Sequence, residues 1–214
     1  MSADHIERAR RHVAARRWPD ALEAIARAVE ESPGDADAWY LKGTVEMGAG
    51  RFRDAIESAA RATTLAPADA KGWILAGSAA EETGDRAAAR EAYERAANAS
   101  PRWSLPWSRI GTLAYDAGDL ENAESAFAKA ADCDPRQARS WNNLALARIG
   151  RGNLDAAEDA LKRALGAIPD YSMAYRNLAR IFGARGDARR RDAYEGLAAR
   201  IDQVKAQEAA GDIR

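Results

Sequence analysis

Reactive side chains are scarce in this sequence, whose 214 residues include two histidines and one cysteine. A lone Cys133 cannot close an intrachain disulfide, so no disulfide framework is available and a reducing cytosol suits the chain best. Cys133 falls late in a predicted helix, on an apolar column, where a small core residue is expected. His5 and His12 stand seven apart on one helix face, with no second cysteine or further motif to complete a metal set. They are expected as partly exposed side chains of a terminal helix. Glycines are spread along the chain and form no phosphate-binding loop. These absences predict no cofactor, no metal, no small-molecule substrate and no catalysis.

Neither charge sign prevails, with 32 Lys and Arg against 33 Asp and Glu for a net charge of −1. That balance argues against a dedicated nucleic-acid binder, which needs an excess of cations to meet phosphates. Two arginine clusters exist, Arg8, Arg10, Arg11, Arg16 and Arg17 near the start and Arg189, Arg190 and Arg191 near the end. Glu7, Asp20, Asp187 and Asp192 interleave them, so solvated faces are expected. No apolar run reaches the roughly 18 residues needed to cross a membrane. The opening residues, MSADHIERARRHVAARRW, are charged from the fourth onward and lack the apolar centre of a secretory signal, so a cytoplasmic location is expected.

Alanine, by contrast, makes up about a quarter of the chain, and β-branched residues are few, which predicts an all-helical protein. Residue types recur every 34 positions: Trp39, Trp73, Trp107 and Trp141, then Tyr175. Gly43, Gly77 and Gly111 share that grid with Ala145 and Ala179, and a second column holds Gly50, Gly84, Gly118, Gly152 and Gly186. Alanine columns run through Ala55, Ala89, Ala123 and Ala157 and through Ala62, Ala96, Ala130 and Ala164, while Pro33, Pro67, Pro101, Pro135 and Pro169 close each unit. A fixed period of this length signals an array of structural repeats.

Each column has a physical reason. The tryptophan and the small residue four later share a face of a first helix, where the missing side chain lets a second helix approach. The glycine seven further on tolerates the left-handed conformation that ends that helix. Asp85, Asp119, Asn153 and Asp187 directly follow such glycines and predict N-caps for second helices. Leu120, Ala123, Phe127 and Ala130, and likewise Leu154, Ala157, Leu161 and Ala164, then mark an apolar stripe of helical period. The proline cannot continue the helix. Trp39, Trp73, Trp107 and Trp141 are expected as core residues and Trp18 on another apolar column, whereas Trp103, just after Pro101, is a candidate contact residue in a turn.

These columns resemble the tetratricopeptide repeat, whose pattern places Trp, Leu, Gly, Tyr, Ala, Phe, Ala and Pro on a 34-residue period. Residues 104–137 match best, with Trp107, Ile110, Gly111, Gly118, Ala123, Phe127, Ala130 and Pro135. The resemblance implies an all-α, right-handed α-solenoid of helix-turn-helix repeats in one array over 2–205, with units 2–35, 36–69, 70–103, 104–137, 138–171 and 172–205. The last unit is expected to run on as a capping helix through the apolar set at 194, 197, 201 and 204, with fraying from Gln207 and a tail over 206–214.

The same resemblance implies a non-enzymatic scaffold that binds another protein, as a peptide or helical segment, in a concave groove lined by the first helices. Carried onto this chain, the groove includes Tyr40, Thr44, Lys71 and Ser78 in the front half. In the back half it includes Ser108, Arg109, Thr112, Tyr115, Arg139, Asn142, Asn143, Leu146, Arg176, Asn177 and Arg180. Arginine and asparagine dominate the back half, which suits an acidic partner, and Asn143 and Asn177 are placed to bond a peptide backbone. The clamp that some members use for chaperone tails is not intact, since only Asn143 fits it. Self-association into a homo-oligomer is the second reading, and an RNA-binding helical repeat the third.

Overall fold

The structure, a computed structural model, describes residues 2–211. Among them are twelve α-helices and no strand. They form two compact units that meet in the chain at Arg102 and Trp103. The first holds α1 (Ser2–Ala14), α2 (Trp18–Glu31), α3 (Ala36–Gly48), α4 (Phe52–Leu65), α5 (Ala70–Glu82) and α6 (Arg86–Ala99). The second holds α7 (Ser104–Asp116), α8 (Leu120–Cys133), α9 (Ala138–Gly150), α10 (Leu154–Ala167), α11 (Ser172–Ala184) and α12 (Ala188–Gly211). In each unit successive helices pack as pairs, and each pair packs on the next. This is an all-α repeat fold.

The glycine column ends the first helices as expected. Gly50, Gly84, Gly118, Gly152 and Gly186 have φ between +74° and +81°. The sixth such turn is held by Arg16, at φ +54°, a conformation that costs an L-residue roughly 1–2 kcal/mol and that no glycine in the sequence announces. Asp85, Asp119 and Asp187 accept the backbone N–H of Ala88, Asn122 and Arg190, so three of the four expected caps form. Asn153 occupies its N-cap without that bond. Two further caps, Asp35 and Asp69, start α3 and α5.

Small residues set the spacing within pairs. A Cβ on Gly77 would stand 2.4 Å from the Tyr93 ring, and one on Gly111 2.5 Å from the Phe127 ring. Gly111→Ala is therefore expected to destabilise the second unit, because overpacking costs about 1–3 kcal/mol and outweighs the roughly 1 kcal/mol gained from alanine's helix propensity. Gly166, in α10 with nothing within 4 Å of its Cβ position, should instead gain up to about 1 kcal/mol as alanine. Thermal melts of the two variants check this, and shifts in the same direction would refute it.

The tryptophan column lies at the edge of the core. Trp141 is 7% exposed, but Trp39, Trp73 and Trp107 are half-buried. The indole N–H groups of Trp39, Trp73 and Trp141 donate to the carbonyls of Pro33, Pro67 and Pro135 at 2.9, 2.9 and 2.8 Å, and the Tyr175 hydroxyl does the same to Pro169 at 3.1 Å. Arg95, Lys129 and Arg163 lie over the rings of Trp73, Trp107 and Trp141, themselves spaced by one repeat. Trp18 packs half-buried against Ala9, Ala21 and Ile25 and their neighbours, and Cys133 is half-buried rather than enclosed.

Carboxylates are not confined to solvent faces. Glu46 is 2% exposed, accepting from Lys42 at 2.5 Å and from the Ser58 hydroxyl at 2.6 Å. Glu124 on α8 accepts from Arg148 Nε at 2.9 Å and Arg151 Nη1 at 2.5 Å, tying α9 to its neighbour. One repeat later, Glu158 accepts from Arg185 at 2.5 Å. Burial alone would raise the Glu124 carboxyl, but hydrogen bonds and charge from Arg148 and Arg151 outweigh it and hold the group below its usual value. Hydrogen bonds from Arg185 and Lys162 likewise lower Glu158.

The terminal helix is longer than its counterparts, as expected. α12 is helical to Gly211, because alanine and other good helix formers fill its last turns. The remainder of the expected tail lies outside the described residues. Tyr194 stacks on Tyr175 and Phe182, whereas Leu197 and Val204 are 40% and 46% exposed.

Candidate functional site

The best candidate site lies in the second unit. It is built on α7 and the N-terminal half of α9 and on the turns before α9 and α11. A pocket of about 790 Å³ is lined by Leu105, Ser108, Arg109 and Thr112 of α7 and by Ala138, Arg139 and Asn143 of α9. Asp134, Arg136 and Gln137 close one side and Ile168 and Tyr171 another. A smaller cavity of about 120 Å³ adjoins it, lined by Thr112, Tyr115, Phe127, Asn143 and Leu146.

The large pocket is cationic, with three arginines against one carboxylate. Asp134, the residue following α8, already accepts the Arg136 backbone N–H at 3.2 Å. The guanidinium groups of Arg136 and Arg139 make no ion pair among the described residues, and both residues are exposed. Gln137, at the N-cap of α9, spends its carbonyl oxygen on the Ser140 hydroxyl at 2.6 Å and caps no backbone N–H. The N-terminus of α9 thus adds its partial positive charge to that of the arginines. The Asn143 amide is half-buried and has no hydrogen-bond partner among the described residues. The Thr112 hydroxyl donates to the Ser108 carbonyl at 2.9 Å.

The structure brings together Ser108, Arg109, Thr112, Arg139 and Asn143 around the large pocket, with Tyr115 and Leu146 at the small one. The expectation for Asn142 and Asn177 needs correction. Asn142 and Asn177 are each 3% exposed, and the Asn177 amide donates to Asn142 at 2.8 Å, so this pair joins α9 to α11 instead of offering itself to a peptide. Arg176 pairs with Asp202 of α12, and Arg180 approaches the Asn177 carbonyl oxygen at 3.4 Å. In the first unit, Thr44 bonds the Tyr40 carbonyl, and Ser78 bonds Tyr93. Tyr40 is half-buried and Lys71 exposed, and neither lines any of the principal pockets.

Sequence reasoning missed Asp134, Arg136, Gln137, Ile168 and Tyr171, all in or beside inter-repeat turns. A signal was present. The cap position that holds Asp35 and Asp69 becomes Trp103, Gln137 and Tyr171 in the second unit, giving up about 1 kcal/mol of capping each time. Trp103 itself is half-buried at that cap. Elsewhere, His5 Nε2 lies 3.5 Å from Glu31 and His12 Nδ1 4.0 Å from Asp20. Among the described residues no group of three or more His, Cys, Asp or Glu could hold a metal, and no helix is long and apolar enough to cross a membrane.

Helix pairs of this size, repeated every 34 residues and closed by a left-handed glycine, define a class of all-α repeat proteins. The chain belongs to the tetratricopeptide repeat family, whose model matches residues 6–47, 41–102 and 108–172. The fold is similar to that of YrrB, a tetratricopeptide repeat protein with an unusual peptide-binding site. That likeness has 18% identity over 89% of this chain and 100% of that one, with a TM-score of 0.70. It is also similar to MamA from Desulfovibrio magneticus, at 15% identity over 79% and 96% of the two chains and a TM-score of 0.71. A tetratricopeptide repeat protein from Parabacteroides merdae gives 19% identity over 90% and 77%, with a TM-score of 0.73. No curated protein sequence matches this chain.

Proposed function

We propose that this protein is a non-catalytic interaction scaffold that holds a segment of a partner protein in the pocket between α7, α9 and the turn before α11. The observation that carries this reading is the pair of unpaired guanidinium groups, Arg136 and Arg139, beside the unpartnered Asn143 amide in a pocket of about 790 Å³. Charged donors left without internal partners favour a ligand bearing carboxylates. YrrB, of similar fold, carries a peptide-binding site, which supports the same kind of ligand here. The lone Cys133, which can form no intrachain disulfide, fits a reducing cytosol.

A photo-cross-linking residue placed at Leu105 or Ser108, both lining the pocket, should capture a partner segment in native lysate, and one at Arg189, in α12, should not. Arg139→Glu should reduce capture at Ser108 by tenfold or more, about 1.4 kcal/mol, while leaving helicity unchanged. Equal capture at all three positions, or none sensitive to Arg139→Glu, would refute the site. Self-assembly remains the second reading, favoured by the exposed Leu197 and Val204 of α12. Light scattering that shows a concentration-dependent mass, abolished by charges at these two positions, would select it.

A further inference from the structure

We infer that the site reads a two-part motif: an acidic side chain seated against Arg136 and Arg139, and beside it a large apolar side chain inserted between Tyr115 and Leu146. This deepens the reading of the pocket as a partner-binding site and rests on it. The two cavities share Thr112 and Asn143 as lining residues, so they are compartments of one site. Their chemistry differs. The large compartment is dominated by arginine and holds a single carboxylate that is already bonded to the backbone. The small one is floored by the ring of Phe127, which is 3% exposed, and walled by Leu146 and Tyr115.

Polar side chains fit the small compartment poorly. Thr112 has turned its hydroxyl onto the Ser108 carbonyl, which leaves Asn143 and the Tyr115 hydroxyl as the available polar groups. With the Asn143 amide engaged by the bound segment, the Tyr115 hydroxyl is the one polar partner left in this lining, fewer than the two to four a confined water needs, so water there is readily displaced by an apolar group. At about 120 Å³ the space accepts one large apolar side chain. The Asn143 amide, unpaired and at the boundary of both compartments, is placed to bond the backbone of the segment between the two side chains. An acidic residue alone would leave the apolar compartment empty, and an apolar residue alone would leave two guanidinium groups unpaired.

The test is a display selection with a random decapeptide library on the intact protein, followed by synthesis of the most enriched sequence with a fluorescent label. Enriched peptides should combine Asp or Glu with a nearby Leu, Met, Ile or Phe. In anisotropy titrations, changing the acid to its amide, or the apolar residue to alanine, should each weaken binding at least tenfold. Against the Arg136→Gln/Arg139→Gln protein, the acid-to-amide change should lose its effect while the apolar-to-alanine change keeps it, a coupling that general damage to the fold would not produce. Enriched peptides that lack either half, or whose acid does not couple to the two arginines, would overturn the motif while leaving the peptide-binding scaffold intact. No enrichment above background would overturn both.

Discussion

Trp141→Ala should lower the stability of the second unit by about 3–5 kcal/mol, the range for removing a large aromatic from a packed position. Trp141 is 7% exposed, its N–H is bonded to the Pro135 carbonyl at 2.8 Å, and Arg163 covers its ring at 4.8 Å from the centroid. Alanine would open a cavity in the buried cluster that Trp141 shares with Leu144, Ala145 and Leu161 and leave a proline carbonyl without its donor. Trp141→Phe keeps the larger part of the apolar area, so it should cost less than alanine while still losing the bond to the Pro135 carbonyl, itself worth about 1 kcal/mol. Because helix-pair arrays are held by nearest-neighbour contacts, amide exchange should accelerate first in α8, α9 and α10. Identical denaturant midpoints for wild type and the alanine variant would remove Trp141 from the core.

Glu124→Ala ranks second, at about 2–4 kcal/mol, because it strands two arginines that converge on one carboxylate. Glu124 and Arg148 have side chains only 18% and 24% exposed, so the pair is shielded from the screening that makes surface ion pairs nearly worthless. Arg148 keeps a second bond, to the Ala156 carbonyl at 3.0 Å, which limits the loss. The pH dependence follows from the lowered Glu124 and Glu158 carboxyls, whose ordinary value is 4.5. Their folded values lie below that, so the pairs contribute fully above about pH 4.5, and the contribution is lost as pH falls through the folded values. Wild-type stability should therefore drop more steeply on acidification below pH 4.5 than that of the Glu124→Gln, Glu158→Gln double variant. Parallel curves would show that these carboxylates do not govern acid unfolding.

The helix pairs were legible because their markers act locally. A left-handed turn favours glycine at one position, and Gly50 through Gly186 supply it every 34 residues. Interactions between charged columns were equally periodic, Glu124 with Glu158 and Arg151 with Arg185, yet charged residues on helices are usually solvated and attract no structural reading. The Asn142–Asn177 bond was hidden for a different reason. Its partners lie 35 residues apart, one step off the repeat, so a column-by-column reading puts them in different columns of the same groove and does not pair them. The site itself was half legible. Positions on α7 and α9 followed from the family's geometry, whereas Arg136, Ile168 and Tyr171 sit in turns where the sequence departs from the repeat.

A chain of near copies can assemble in the wrong frame, with a first helix seated on some other unit's second helix, since every copy offers the same apolar stripe. The trio of half-buried Lys42 with buried Glu46 and Ser58 discriminates against that error. Ser58 on α4 occupies a column that is alanine in the next three units, at Ala92, Ala126 and Ala160. Seated on α6 instead, α3 would bring Glu46 against Ala92 and bury an oxygen that has lost its 2.6 Å donor, a penalty of roughly 1–3 kcal/mol. One hydroxyl thereby serves as a key, and of these four second helices only α4 carries it.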